Sequence, residues 1–79
     1  MNVEQQLASI IRGHRKESGL SQAELARIAG CGKTVVFDME HGKVSIQLDT
    51  LLKVLRVLNI EIALTSPLME KILAKGDAR

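Results

Sequence analysis

The chain has 79 residues, 46% of them apolar and one of them aromatic, so it is a single domain whose core is built from Leu, Ile, Val, Ala and Met. A domain of this size buries only about 60% of the surface its unfolded chain exposes, and the single cysteine excludes an internal disulfide framework. The formal charge is +2, with five basic and five acidic residues between Met1 and Gly42, so bulk charge by itself does not indicate nucleic acid.

No apolar run approaches the ~18 residues of a membrane span, and the amino terminus lacks a basic-then-apolar leader. A cytoplasmic protein with no membrane partner is expected. Val3, Leu7, Ile10, Ile11 and His14 recur at helical spacing and predict a first amphipathic helix over residues 3–17, ending near Ser18-Gly19. His14 lies at the edge of that stripe without metal-ligating neighbours, which favours a packed, locally hydrogen-bonded imidazole over a ligand or a pH switch.

Ser21 followed by Glu24 is a capping box, so a second helix starts there. Leu25, Ala26, Ile28 and Ala29 form its apolar side, and Gly30 ends it because glycine tolerates the left-handed conformation that helix termini often need. Cys31 reads as a small buried hydrophobe. A third helix runs from Gly32 or Lys33 to about Glu40, with Val35, Val36 and Met39 turned inward. Lys33 with Phe37, and Thr34 with Asp38, are i,i+4 pairs on adjoining outward rows, so they make one exposed patch that includes the lone Phe.

His41-Gly42-Lys43 is a turn. A fourth helix over residues 47–59 carries Leu48, Leu51, Leu52, Leu55 and Leu58 on one side, widened by Val54. That apolar arc covers roughly 160 degrees against the ~100 degrees a surface helix needs, so part of it is expected to meet another chain. Residues 60–65 alternate every second position and are rich in β-branched side chains, which predicts one strand. A lone strand leaves its amides unpaired, and two copies pairing antiparallel across a two-fold axis would satisfy them, which predicts a homodimer; the alternative is a frayed extended tail. Val54, Leu58, Ile60, Ile62 and Leu64 are the expected dimerisation residues. Pro67 restarts a short helix with Leu68, Met69, Ile72 and Leu73 apolar, so residues 1–66 form the domain and 67–79 a tail.

A capped helix, a tight glycine turn and a second helix with a Val/Met inner face make a helix-turn-helix. In such a unit the first helix crosses the DNA backbone and the second enters the major groove. Free amides at both helix starts suit phosphate. Arg15, LSQAELA at residues 20–26, Gly30, Val36, Glu40-x-Gly42 and LDTLLKVL at residues 48–55 together resemble the phage Cro and repressor (Xre) family over residues 7–60. The resemblance implies an all-α, lambda-repressor-like fold of four to five helices, here with one carboxyl-terminal β-strand pairing across a homodimer. It also implies that Arg15 pairs with Glu40, that Gln22 contacts a phosphate, that Gly32, Lys33, Thr34 and Asp38 stand at base-reading places, and that Lys43 contacts a phosphate. Chemically, Lys33 suits guanine O6 and N7, Thr34 a base edge or a thymine methyl, Asp38 cytosine N4, and Phe37 a thymine methyl or a sugar.

The following LRVLNIEIALTSP is similar to the end of HipB-like antitoxins. This implies repression of the protein's own operon through inverted repeats and binding to a HipA-like serine/threonine kinase toxin. The expected function is therefore a sequence-specific transcriptional repressor serving as a type II antitoxin, without cofactor, metal or catalytic residues. The alternatives are a phage-type or housekeeping Xre repressor without a toxin, and a protein-interaction module that uses the Phe37 patch without DNA.

Overall fold

Side chains adjacent in sequence set the helix ends. In the computed structural model, which describes residues 2–43 and 45–76, Asn2 Oδ1 accepts the Gln5 amide at 2.8 Å and opens α1, Val3–Glu17. Ser21 Oγ accepts the Glu24 amide at 3.0 Å while Glu24 Oε1 accepts the Ser21 amide at 2.9 Å, completing the capping box of α2, Gln22–Ala29. α3 spans Lys33–Glu40, α4 Leu48–Val57 and α5 Met69–Ala74. α4 is shorter than its periodicity suggests because Asn59 turns left-handed at φ 58°, and the Ile60 amide closes back on the Leu55 carbonyl at 2.9 Å.

One core unites α1 to α4. Ile11, Leu25, Val36, Val54 and Leu55 are fully buried in it, with Ala26, Ala29, Met39 and Leu58 around them and Cys31 partly buried against it. Each large aliphatic side chain placed there contributes about 1.5–3 kcal/mol. α2 packs on both α3 and α4, and α1 packs on α3, so α3 is held from two sides while its third side stays open.

Several expected inward residues are instead exposed. Val3, Ile10 and Ile28 face solvent, because α1 turns the row Leu7, Ala8, Ile11 and Arg15 toward α3, and α2 turns Leu25, Ala26 and Ala29 inward. His14 is likewise exposed rather than packed, although its Nδ1 donates to the Ile10 carbonyl at 2.7 Å. Val54 and Leu58, expected at a dimer interface, are 0% and 6% exposed and belong to the core of the protomer itself. The outward margin of the α4 arc is Leu48.

No strand is formed among the described residues. Residues 61–65 carry no regular structure, and none of their amides finds a backbone acceptor among those residues, since a strand exists only against another strand. Ile60 packs against the core, while Ile62 and Leu64 are 52% and 77% exposed. α5 buries none of its side chains.

Two glycines give opposite expectations. Gly30 caps α2 at φ +76°, so Gly30→Ala is expected to cost about 1–2 kcal/mol through the left-handed penalty. Gly13 lies inside α1 with nothing within 4 Å of an added Cβ, so Gly13→Ala is expected to stabilise by about 0.5–1 kcal/mol. Urea denaturation of both variants checks the pair of signs.

Candidate nucleic-acid interface

α2 reverses into α3 within three residues. The Cys31 amide returns to the Ala26 carbonyl at 2.9 Å across the left-handed Gly30, and Gly32 then opens α3 in an extended conformation with no side-chain cap. The amides of Lys33 and Thr34 are therefore left without backbone partners among the described residues at the start of α3, where the helix dipole is positive. Val36 and Met39 anchor the inner face, and Lys33, Thr34 and Phe37 stand exposed on the outer one.

The far end of α3 is locked from beneath. Arg15 Nε and Nη2 donate to Glu40 Oε2 and Oε1 at 2.6 and 2.9 Å, and Nη1 donates to the Leu20 carbonyl at 2.9 Å. One guanidinium thus ties α1 to the α2 entry and to the last residue of α3. Gln22 Nε2 adds a third donor to the Glu40 carboxylate, reaching Oε1 at 3.2 Å. Burial pushes the Glu40 carboxyl up, but hydrogen bonds from Arg15 and Gln22, with the charges of Arg15 and Arg12, more than reverse this and hold it below its ordinary value. The hydrogen bond to Glu40 also raises Arg15.

The remaining expected site residues divide into free and engaged groups. Gly32, Lys33, Thr34 and Phe37 share the open face of α3. Asp38 is half-buried and pairs with Lys43, Nζ to Oδ2 3.3 Å, while the Lys43 amide donates to the Asp38 carbonyl at 3.0 Å. Gln22 points its amide at Glu40, leaving its carboxamide oxygen as the group unused by that bond. Burial raises the Cys31 thiol against the opposing charge of Lys53, which makes it a poor nucleophile at neutral pH.

Sequence reasoning missed His41. Its ring stacks on Phe37 with centroids 3.9 Å apart and planes inclined by 23°, a contact that the i,i+4 spacing of the two residues permits. Among the described residues no cluster of His, Cys, Asp or Glu could hold a metal, and no helix is long and apolar enough to cross a membrane.

Two short helices meeting at a glycine turn, the second open along one face and braced from behind, define a helix-turn-helix DNA-binding protein. The helix-turn-helix family matches residues 11–64 of the chain. A Sinorhizobium fredii protein described as the uncharacterized HTH-type transcriptional regulator y4mF is 38% identical over 61 residues, which cover 77% of this chain and 80% of that protein. Among solved structures, one called MDT Protein is 25% identical with a TM-score of 0.74, over 85% of this chain and 94% of that one. A chain in a HipA-HipB-O2-O3 complex matches with the same figures. A complex of a HipB variant with an O2 20mer matches at 27% identity and a TM-score of 0.74, over 85% of this chain and 93% of that one. The chain belongs to the Xre-type helix-turn-helix family and is a DNA-binding transcriptional regulator whose structural neighbours are HipB proteins.

Proposed function

We propose that the protein is a homodimeric repressor of an inverted-repeat operator and the HipB-like antitoxin of a type II toxin-antitoxin operon, with a HipA-like serine/threonine kinase as its partner. The observation that carries this reading is the likeness, over 85% of the chain, to a chain in a complex of HipA and HipB with O2 and O3. Two copies related by a two-fold axis would set their α3 helices ~34 Å apart, one turn of DNA. The backbone of residues 61–65, unpaired among the described residues, and the exposed Ile62 and Leu64 would supply the self-complementary edge for that axis.

Within each half-site, the free amides of Lys33 and Thr34 favour a phosphate or base-edge acceptor, and the Lys33 ammonium reads guanine O6 and N7. Thr34 donates to a base edge or touches a thymine methyl. Asp38 accepts from cytosine N4 while its other neighbour, Lys43, turns toward a phosphate. Gly32 lets the backbone approach the groove, and the carboxamide of Gln22, steadied on Glu40, reaches the phosphate at the α2 start.

The test is a pair of substitutions compared on selected and random duplexes. Lys33→Ala is expected to cost ~1–3 kcal/mol on the selected duplex and to relax one base position. Lys43→Ala should weaken all duplexes alike and lower the salt slope by about one unit. Equal losses on both duplexes for Lys33→Ala would remove its base-reading role. The toxin partnership is tested by co-purification with the product of the neighbouring gene, a kinase-like protein being expected. The likeness to y4mF, described as a transcriptional regulator, favours a second reading as a repressor without a toxin, and absence of such a complex would support it.

A further inference from the structure

The open face of α3 carries an aromatic pair for which the family resemblance supplies no role. Phe37 is 47% exposed although it is the sole Phe, Trp or Tyr of the sequence. His41 is exposed beside it, its ring parallel to within 23° at a centroid distance of 3.9 Å. The imidazole cannot drift from this position freely, because its Nδ1 donates to the carbonyl of Phe37 itself at 2.7 Å. The residue that covers one face of the phenyl ring is thus tethered to the backbone that carries that ring.

Lys33, Phe37 and His41 follow one another at four-residue steps, so they share a row along α3. That row begins with a residue whose free amide and ammonium suit base edges. One turn on, the surface becomes an apolar plate whose outward face and edge have no hydrogen-bonding atom. The major groove offers donors, acceptors and a single apolar group, the C5 methyl of thymine. A phenyl ring there gains from that methyl and from nothing else on the base edges, and a ring held by a stacked neighbour loses less rotamer freedom when it makes the contact.

We propose that the Phe37–His41 stack is a thymine reader. Phe37 touches the thymine 5-methyl, and His41 is a positioning residue that fixes the orientation of the phenyl ring. This deepens the proposed placement of α3 in the major groove and rests on it.

The test uses a duplex selected by the wild-type protein from a randomised library, with each thymine replaced in turn by deoxyuridine, which removes only the methyl. At one symmetry-related pair of positions the wild type should lose about 4-fold per half-site, or about 15-fold when both are changed, the equivalent of ~0.8 kcal/mol for each buried methyl. Phe37→Ala and His41→Ala should each bind the thymine and uracil duplexes within about 2-fold of one another. His41→Tyr, which restores a stacked ring, should recover the uracil penalty, an outcome that a general folding defect would not produce. His41→Gln serves as a second ringless variant, and unchanged unfolding midpoints confirm that each variant is folded.

A full uracil penalty in His41→Ala overturns the positioning role. No methyl-sensitive thymine in the wild type, while Lys33→Ala still relaxes one position, overturns the thymine reader and leaves the groove reading standing. A library from which the wild type selects nothing overturns both.

Discussion

Arg15→Ala is expected to destabilise the fold by about 3–5 kcal/mol, the cost of stranding a buried carboxylate. The Glu40 side chain is 1% exposed and the Arg15 side chain 12%, so water reaches neither well enough to replace the lost partner. The same substitution frees the Leu20 carbonyl and the link between α1 and the end of α3. For a 79-residue domain, near the lower end of the usual ~5–15 kcal/mol, this removes most of the stability, and urea denaturation followed by circular dichroism should find much of the variant unfolded in water. A loss below about 1 kcal/mol would mean that the pair is solvated in solution. Replacing both partners together, Arg15→Met with Glu40→Leu, should recover most of the loss because no charge is then left buried.

The same pair fixes the acid limb of the stability curve. Glu40 has a folded-state pKa below its ordinary value of 4.5, so its ionised form stabilises the native state at any pH above that value. The contribution is lost as pH falls through the depressed value and carboxylate protonation unlinks Arg15. Glu40→Gln should therefore be less stable than the wild type at neutral pH and show a flatter decline below about pH 4.5. An identical acid limb in the two proteins would assign acid unfolding to other carboxylates.

The second large effect concerns the proposed dimer. Ile62→Asp combined with Leu64→Asp should give a monomer in sedimentation and lower operator affinity by about 10²–10⁴-fold, the advantage that tethering two half-site binders confers. Both side chains are mostly exposed in the protomer, so the double variant should keep the helical circular dichroism of α1 to α4. Four carboxylates brought together across a two-fold axis would repel one another at the position where the alternating segment offers its apolar side. A wild-type protein that sediments at 8.7 kDa and still binds an inverted repeat with full affinity would sink the idea, as would a double variant of unchanged mass.

Much of the candidate interface was legible because it is made of short-range relations. The capping box at Ser21 and Glu24, the Gly30 stop and the outward row of Lys33 and Phe37 each span three or four residues, and their geometry follows from helix periodicity alone. The family resemblance supplied the Arg15–Glu40 expectation, which no local pattern contains since the two lie 25 residues apart. His41 was overlooked because a histidine next to Gly42 reads as part of a turn, although its four-residue offset from Phe37 was visible. The bonding of Gln22 to Glu40, and of Lys43 to Asp38, depends on how closely the elements approach.

The order of the four core helices, the cap and glycine stop of α2, and the division of α3 into Val/Met and polar sides were set by the sequence alone, because hydrogen bonds and side-chain rows within one helical turn do not need the rest of the molecule. Tertiary structure decided which part of each wide apolar arc would be covered. Val54 and Leu58 go inward because α2 lies against that side of α4, whereas Ile10 and Ile28 stay outside because the rows beside them meet α3 and the core first. An amphipathic pattern states that a face must be buried, and only the arrival of another element states where.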